Sequence, residues 1–499
     1  MRLVPALERR PGLVAFVATL RGRLVLLAAF TALLVLARFP WPYHAAAILA
    51  ATSLLPRRRR LVLTIGVLAW TAVHPVLDRT ALLLLVARQE GVAGTLDVFR
   101  THQLVLLATI ALLGVVAAVA FRWHRSRLAR RPILLLHLAC GTLLLWASCA
   151  PLAGTARVVA WAFAATLCGY LWYFGYTLLD RHAADRDPVL LQVGTWSPFW
   201  AATRAHQVPF AKGAAYWRRI EAKTDSDLAV VQLKAIKLLV WALIMRATLS
   251  LFWLLVHGVD DTTVSARIVR KLGSLAGWTL TGLHLPTFAH ALAKSIERRP
   301  FGSLVCWATL VAYFLERLLT LTFDGGVVIA CVRMAGFAAL RNTWRPLQAR
   351  SIADFWNRYF FYFKEMLVDF FFYPTFVRVF KRHTNARIVA ATFVAAGFGN
   401  MEFHFLRNPQ FIVQLGLWRA VAGFQVYAFY TVVLAMGIAV SQIRARRAPR
   451  PPPRGFRGRV LTPAAVVLFY CLLSIFDEVG RSHPLSEHFR FLLHLFAIG

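Results

Sequence analysis

Acidic residues are scarce in this chain: 22 Asp and Glu stand against 57 Lys and Arg in 499 residues, a formal charge of +35. Several chemistry-bearing patterns are missing. There is no GxxxxGK[ST] loop, no HExxH and no Ser within GxSxG, which disfavours ATP-driven transport, zinc proteolysis and a hydrolase-like covalent serine route. The six cysteines (Cys140, Cys149, Cys168, Cys306, Cys331 and Cys471) form no CxxC pair and lie in or beside apolar runs, so they read as small buried hydrophobes and not as metal ligands or disulfides. No repeat of fixed period is visible, which lowers the case for an inverted-repeat transporter. The cationic start is not followed by a short apolar region and a small-residue cleavage site, so no removed signal peptide is expected.

What the chain does have is apolar length. Hydrophobic residues make up 59% of it, charged residues 16%, and the mean hydropathy is +0.59. Together these point to an all-α, polytopic membrane protein and not to several soluble domains. A bilayer core needs about 20 helical residues per crossing. Candidate spans fall at 22–38, 43–55, 61–77, 103–121, 133–150, 157–179, 233–256, 272–293, 301–321, 325–340, 388–405, 410–440, 460–475 and 486–498. Because several are short, about eleven to thirteen true spans are expected, with tilted and broken helices around a central channel.

The positive charge is concentrated between these spans, where the positive-inside rule places it, so nucleic acid is not an expected partner. The runs 56–60, 121–131 and 444–459 are expected in the cytoplasm, while 257–265 and the stretch SIFDEVGRSHPLSE near the end are expected outside. Residues 1–180 then form N-terminal transmembrane helices and 233–499 a transmembrane core. Between them, 181–232 is a cytoplasmic amphipathic loop with seven Lys or Arg, five Asp or Glu, and Trp196, Trp200 and Trp217. It reads either as a surface-lying segment or as a docking face for an acyl donor. The Pro-rich run 449–454 reads as an extended linker.

One stretch, 341–408, weaves ionisable groups and aromatics into what should be hydrocarbon, and a charge at that depth marks a functional site by default. Projected as a single helix, residues 355–374 gather Arg358, Glu365 and Asp369 on one side, flanked by Asp354 and Tyr362, on a cylinder otherwise made of aromatics. Arg358 is within i+4 reach of Tyr362, and Glu365 and Asp369 repel each other unless a cation or proton intervenes. The alternative is an interfacial helix whose charges face lipid headgroups.

Across Ser351, Phe355, Trp356, Arg358, Asp369, Phe370, Phe372 and Pro374, followed by His404 in GFGNMEFHF, the stretch resembles the membrane-bound O-acyltransferase superfamily, most closely its bacterial branch that acetylates polysaccharides such as alginate or D-alanylates teichoic acid. It departs from the family pattern at Phe360, where a polar His or Asn is common, and in Phe403-His404-Phe405, where the family has Trp-His-Gly. The resemblance implies acyl transfer from a cytoplasmic thioester, acyl-CoA or an acyl carrier protein, to a hydroxyl of a polysaccharide or lipid. No bound cofactor and no metal are expected. His404 would be the base and Asn400, one turn earlier, a possible orienting group, because an imidazole held by a neighbour can take a proton from an attacking alcohol.

Trp356, Arg358, Asp369 and Pro374 would be signature or channel residues. Arg341, Arg345 and Arg350, with Trp344 among them, suit the phosphates of an acyl-CoA as well as an ordinary positive-inside anchor. The aromatic surface from Phe355 to Phe372 suits either an acyl tunnel or packing. In a straight helix the 17 residues from Arg387 to His404 would rise roughly 25 Å, placing His404 toward the outer surface. His284 and His290 fall on opposite sides of a regular helix and do not suit a metal. The localisation implied is a multi-pass integral membrane protein, in the inner membrane of a bacterium, with an extracytoplasmic polysaccharide-modifying partner. The competing reading is a lipid or polyol transporter, or a catalytically silent scaffold with the same core.

Overall fold

The computed structural model describes residues 4–74, 79–123, 131–180, 213–258, 283–447, 455–478 and 483–498. Trp196, Trp200, the Pro-rich run 449–454 and most of 121–131 and 257–265 lie outside the described residues. The protein is all-α, with no strand among the described residues. Among the described residues six helices are long and apolar enough to cross a membrane: Val98–Ala120, Gly154–Leu179, Asp225–His257, Ser303–Met334, Gln425–Arg447 and Arg457–Phe476. The pair Pro11–Ala18 and Leu20–Leu36, bent by 97°, makes a seventh if counted as one span.

This is fewer than the spacing of apolar runs predicts, for three physical reasons. The runs 301–321 and 325–340 are one 32-residue helix, Ser303–Met334. The runs 388–405 and 410–440 are instead interrupted, by a π-helical turn over Phe393–Gly399 and by short helices before Gln425–Arg447. Several other runs form helices too short for a straight crossing, such as Pro42–Leu54 and Leu485–Leu495, and residues 272–282 of the 272–293 run lie outside the described residues.

The chain divides into two compact units, one of residues 1–240, 327–341 and 403–420, the other of 241–326, 342–402 and 421–499. In the first unit the central element is Gly154–Asp180. Its apolar window is 89% buried against 28% for that of Val98–Ala120, as expected for a helix that is apolar all round and walled by neighbours. Trp161, Tyr170, Trp172 and Tyr173 fill its surroundings.

The segment expected to lie on the membrane surface is instead partly built into this core. Trp217 in helix Ala214–Ile220 is 3% exposed and meets Phe337 edge-on at 4.5 Å. The hydrophilic tail of 181–232 opens helix Asp225–His257, because Asp225 and Asp227 in the first turn complement the positive end of the helix dipole. The second unit is packed by aromatics of the 351–374 stretch, with Phe355, Tyr362, Phe363 and Met366 buried and Phe355 stacked on Tyr470 at 3.9 Å.

Candidate functional site

The signature stretch is not one helix. Ser351 caps helix Ile352–Tyr359, its Oγ accepting from the Asp354 amide at 3.0 Å, while the Asp354 carboxylate accepts from the Arg350 amide at 3.0 Å. This is the reciprocal logic of a capping box. The helix stops at Phe360 (φ −139°, ψ 73°) and resumes as Phe361–Leu367. The break leaves backbone groups without helical partners, and the segment 342–344 supplies them. The Trp344 amide donates to the Arg358 carbonyl at 2.7 Å, the Thr343 hydroxyl to the Tyr359 carbonyl at 2.9 Å, and the Phe361 amide to the Asn342 carbonyl at 3.0 Å.

A π-helical turn over Val368–Phe372 follows. Pro374, just beyond it, has no N–H for the i−4 carbonyl and its ring crowds that carbonyl, a reason for the ladder to widen here.

The single charged stripe therefore does not form. Arg358 pairs back with Asp354, Nε to Oδ1 at 2.7 Å, and not forward to Tyr362. Glu365 takes the ammonium of its neighbour Lys364 as partner, which supplies the intervening cation its carboxylate needs. Asp369 is half-buried within the π turn.

A second interrupted helix packs against this one. Gly399, closing the π turn Phe393–Gly399, lies so near Phe371 that a Cβ there would be 2.6 Å from the ring. The two π turns border a cavity of about 80 Å³, lined by Trp356, Asn357 and Leu367 on one side, Thr392, Ala395 and Ala396 on another, and Ile438 and Gln442 of helix Gln425–Arg447. Val368 and Phe372 of the first π turn and Lys364 complete it. The Thr392 hydroxyl donates to Gln442 Oε1 at 2.9 Å and ties the second interrupted helix to its neighbour. A cavity about half the size of one that holds benzene takes a group of a few heavy atoms. Wall chemistry is apolar except for Asn357, Lys364 and the Thr392–Gln442 pair. π-Helical turns occur often at functional sites because they leave carbonyls and side chains off the regular ladder.

The remaining sequence-predicted residues are distributed between the units. Asn400 and His404 share helix Asn400–Arg407, across which the division of the chain falls. Asn400 is 1% exposed, and its amide oxygen accepts from the Tyr427 hydroxyl at 3.0 Å, so its oxygen is already engaged. Its Nδ2 makes no hydrogen bond to a described residue. His404, in the first unit, is half-buried beside Phe403 at a ring distance of 5.2 Å, and its carbonyl accepts from Asn408 Nδ2 at 2.7 Å.

The π turn shortens the path expected of a straight 387–404 helix, since its rise per residue is lower than that of an α-helix. Arg341 is half-buried in the first unit. Arg345 and Arg350 are exposed in the second, with the Arg345 guanidinium 4.9 Å from the Trp344 ring centre. Among the described residues no cluster of three or more His, Cys, Asp or Glu suits a metal.

One polar centre of the second unit escaped the sequence reading. Arg317, in helix Ser303–Met334, pairs with Asp477, and its Nη1 donates to the Tyr313 hydroxyl at 3.1 Å. Next along the chain, Glu478 Oε2 meets Nε2 of the fully buried His488 at 2.6 Å, and Oε1 meets His483 Nδ1 at 3.3 Å. Burial pushes the Glu478 carboxyl up, but the hydrogen bonds and charges of His488 and His483 outweigh it and hold the group below its ordinary value. The available signal was the Glu316-Arg317 dipeptide inside an apolar run, an intramembrane charge that calls for a partner.

No protein-family model matches the sequence, and no curated protein matches it.

Proposed function

We propose that the chain is a multi-pass membrane O-acyltransferase that moves a short acyl group, acetyl by size, from a thioester donor to a hydroxyl of a polysaccharide or lipid acceptor. The observation that carries this reading is the small, largely apolar cavity between two π-interrupted helices, to which Trp356 and Phe372 of the acyltransferase-like stretch contribute. In this reading the cavity takes the acyl group, with Trp356 as its largest wall. His404 takes the proton of the acceptor hydroxyl as the oxygen attacks the thioester carbonyl. The C–S bond then breaks and the departing thiolate takes up the proton. Arg345, spread over Trp344, and Arg350 are exposed cations suited to phosphates of acyl-CoA. Ser351, Asp354 and Arg358 act structurally, as cap and ion pair. The arginine-rich connections place the donor side in the cytoplasm, of a bacterial inner membrane on the family resemblance.

The test is labelled acetyl-CoA offered to the purified full chain in detergent with simple alcohols. Thioester consumption should fall by about 100-fold or more in His404→Ala if the histidine is a general base, with insertion and thermal unfolding unchanged. Wild-type consumption in His404→Ala rules out the role. Trp356→Ala should shift preference from acetyl toward longer chains, because it opens the cavity wall.

A second reading, a lipid or polyol transporter or a silent scaffold, is favoured by one feature. The helix break falls on Phe360, where the superfamily commonly has a polar residue. Binding of an acceptor with no thioester consumed by the wild-type chain selects that reading.

A further inference from the structure

Two histidines far apart in sequence meet in the first unit. His44 lies in the first turn of helix Pro42–Leu54, and His74 caps the C-terminal end of helix Arg59–Val73, its amide donating to the Trp70 carbonyl at 2.7 Å. The two helices pack as a hairpin. Residues 55–58 close one end of it, and the histidines stand at the other. His74 Nε2 and His44 Nδ1 are 3.0 Å apart, with ring centres 5.0 Å apart. His44 is exposed and His74 half-buried, so the pair is open to what lies outside.

Neighbouring side chains fix both rings. Trp41 lies flat on the His74 ring, with 3.8 Å between centres and 15° between planes. It does so from a left-handed backbone, φ 49° and ψ 57°. A bulky residue in that region is an outlier, and such strain persists where surrounding contacts hold it, most often at active sites and ligand clamps. Trp70, which is buried, meets His74 at 5.6 Å and His44 at 6.4 Å, edge-on to both. The Gln103 side-chain amide donates to the Ala72 and Val73 carbonyls at 3.1 and 3.0 Å, which pins the helix end that carries His74. The two imidazoles are thus oriented before any ligand arrives, the condition for a preorganised site.

The distance decides the class of ligand. Two neutral imidazoles whose nitrogens face each other share either a proton, one ring donating and the other accepting, or a metal ion bound by both lone pairs. A metal about 2.0–2.1 Å from each nitrogen would hold them at an angle of roughly 90–100°. That is close to the right angle between adjacent positions of a square-planar or tetragonal complex, which copper(II) and nickel(II) prefer, and short of the tetrahedral angle of zinc. Copper(II) also stands highest in the affinity order of divalent first-row metals. We propose that His44 and His74 form a two-histidine site for copper(II), with water in the remaining positions, that clips the open end of the hairpin. No ligand motif announces the pair, since its members sit on different helices. The site is independent of acyl transfer, no step of which passes through it.

The test is calorimetric titration of the purified full chain in detergent, without a polyhistidine tag and after treatment with a chelator, with copper(II), nickel(II) and zinc chloride. Electron paramagnetic resonance of the copper form counts the nitrogens on the ion. The wild type should bind one copper ion per chain that His44→Ala and His74→Gln do not bind at the same concentration, with two imidazole nitrogens coupled to it. Each substitution should weaken that site about 10-fold or more, because two ligands on one scaffold act together. Nickel and zinc should bind it more weakly than copper. Copper should raise the thermal unfolding midpoint of the wild type more than that of either variant, because only the folded hairpin brings the two rings together. His44 is exposed, so His44→Ala should fold as the wild type does. The proposal is overturned if both variants bind copper as the wild type does, if a single nitrogen is coupled to the ion, or if zinc binds more tightly than copper. Thioester consumption should be the same in His44→Ala as in the wild type, whichever way the acyltransferase reading falls.

Discussion

Each unit encloses an arginine beside a carboxylate, and the two are built for opposite ends. In the first unit Arg59 is 2% exposed. Its Nη1 lies 3.6 Å from Glu221 Oε1 and donates to the Ala222 carbonyl at 3.2 Å, and the guanidinium sits 5.8 Å from the centre of the Phe337 ring. The backbone of Gly336 closes the site, with a Cβ there falling 2.6 Å from Arg59 Cζ. In the second unit Arg317 also has its carboxylate, but its Nη1 turns to the Tyr313 hydroxyl and 40% of its side-chain surface stays accessible. A buried ion pair is therefore not a function in itself. Arg59, closed in by backbone and ring, is a clamp, and Arg317 is a pair left open.

Breaking the sealed member should have the largest effect. Gly336→Ala demands a side chain at φ +97° and against the guanidinium, so it should lower unfolding stability by roughly 2–5 kcal/mol, from backbone strain plus overpacking. The thermal unfolding midpoint in detergent reads this, and an unchanged midpoint would show that Arg59 is free to move aside.

Gly399→Ala sharpens the comparison, because it creates a similar close approach against a ring edge. Gly399 lies in a helical turn without the positive φ of Gly336, so overpacking alone acts and the cost should be about 1–3 kcal/mol. If the cavity between the π turns matters, thioester turnover should fall with it.

Acid should act on the open side. Glu478 is held below its ordinary value in the folded chain. Its contribution to stability is thus fully present above the ordinary carboxylate range and is lost as the pH falls through the lowered value. The unfolding midpoint of the wild type should drop on that acid limb. Glu478→Gln should start lower and show a flatter limb, and an identical limb in both proteins would remove His488 and His483 as the cause.

The smallest effect expected is Tyr430→Phe, within about 0.5 kcal/mol of wild type, since its hydroxyl makes no hydrogen bond to a described residue. A larger loss would mean that the hydroxyl supports the fold.

Membrane character was legible in the sequence because apolar run length and Lys or Arg punctuation are local properties. Arg358 shows where local reading fails. Its i+4 neighbour Tyr362 was the natural partner on a continuous helix, but the break at Phe360 depends on 342–344 arriving to satisfy the freed carbonyls, and no helical projection contains that segment. Span counting fails likewise at 388–405, where a π turn interrupts an unbroken apolar run. Asn400 looked like a partner for His404 by spacing, whereas the hydroxyl that holds its oxygen comes from Tyr427, 27 residues further on.

What the chain alone determined is an all-α, many-spanning protein with its positive charge in the connections, because hydrophobic length and charge act without reference to the rest of the fold. Only the tertiary structure decided which charges are clamps and which face open space. Arg317 and Asp477 are 160 residues apart in sequence, and the difference between a sealed pair and an open one lies in the walls that other helices bring to it.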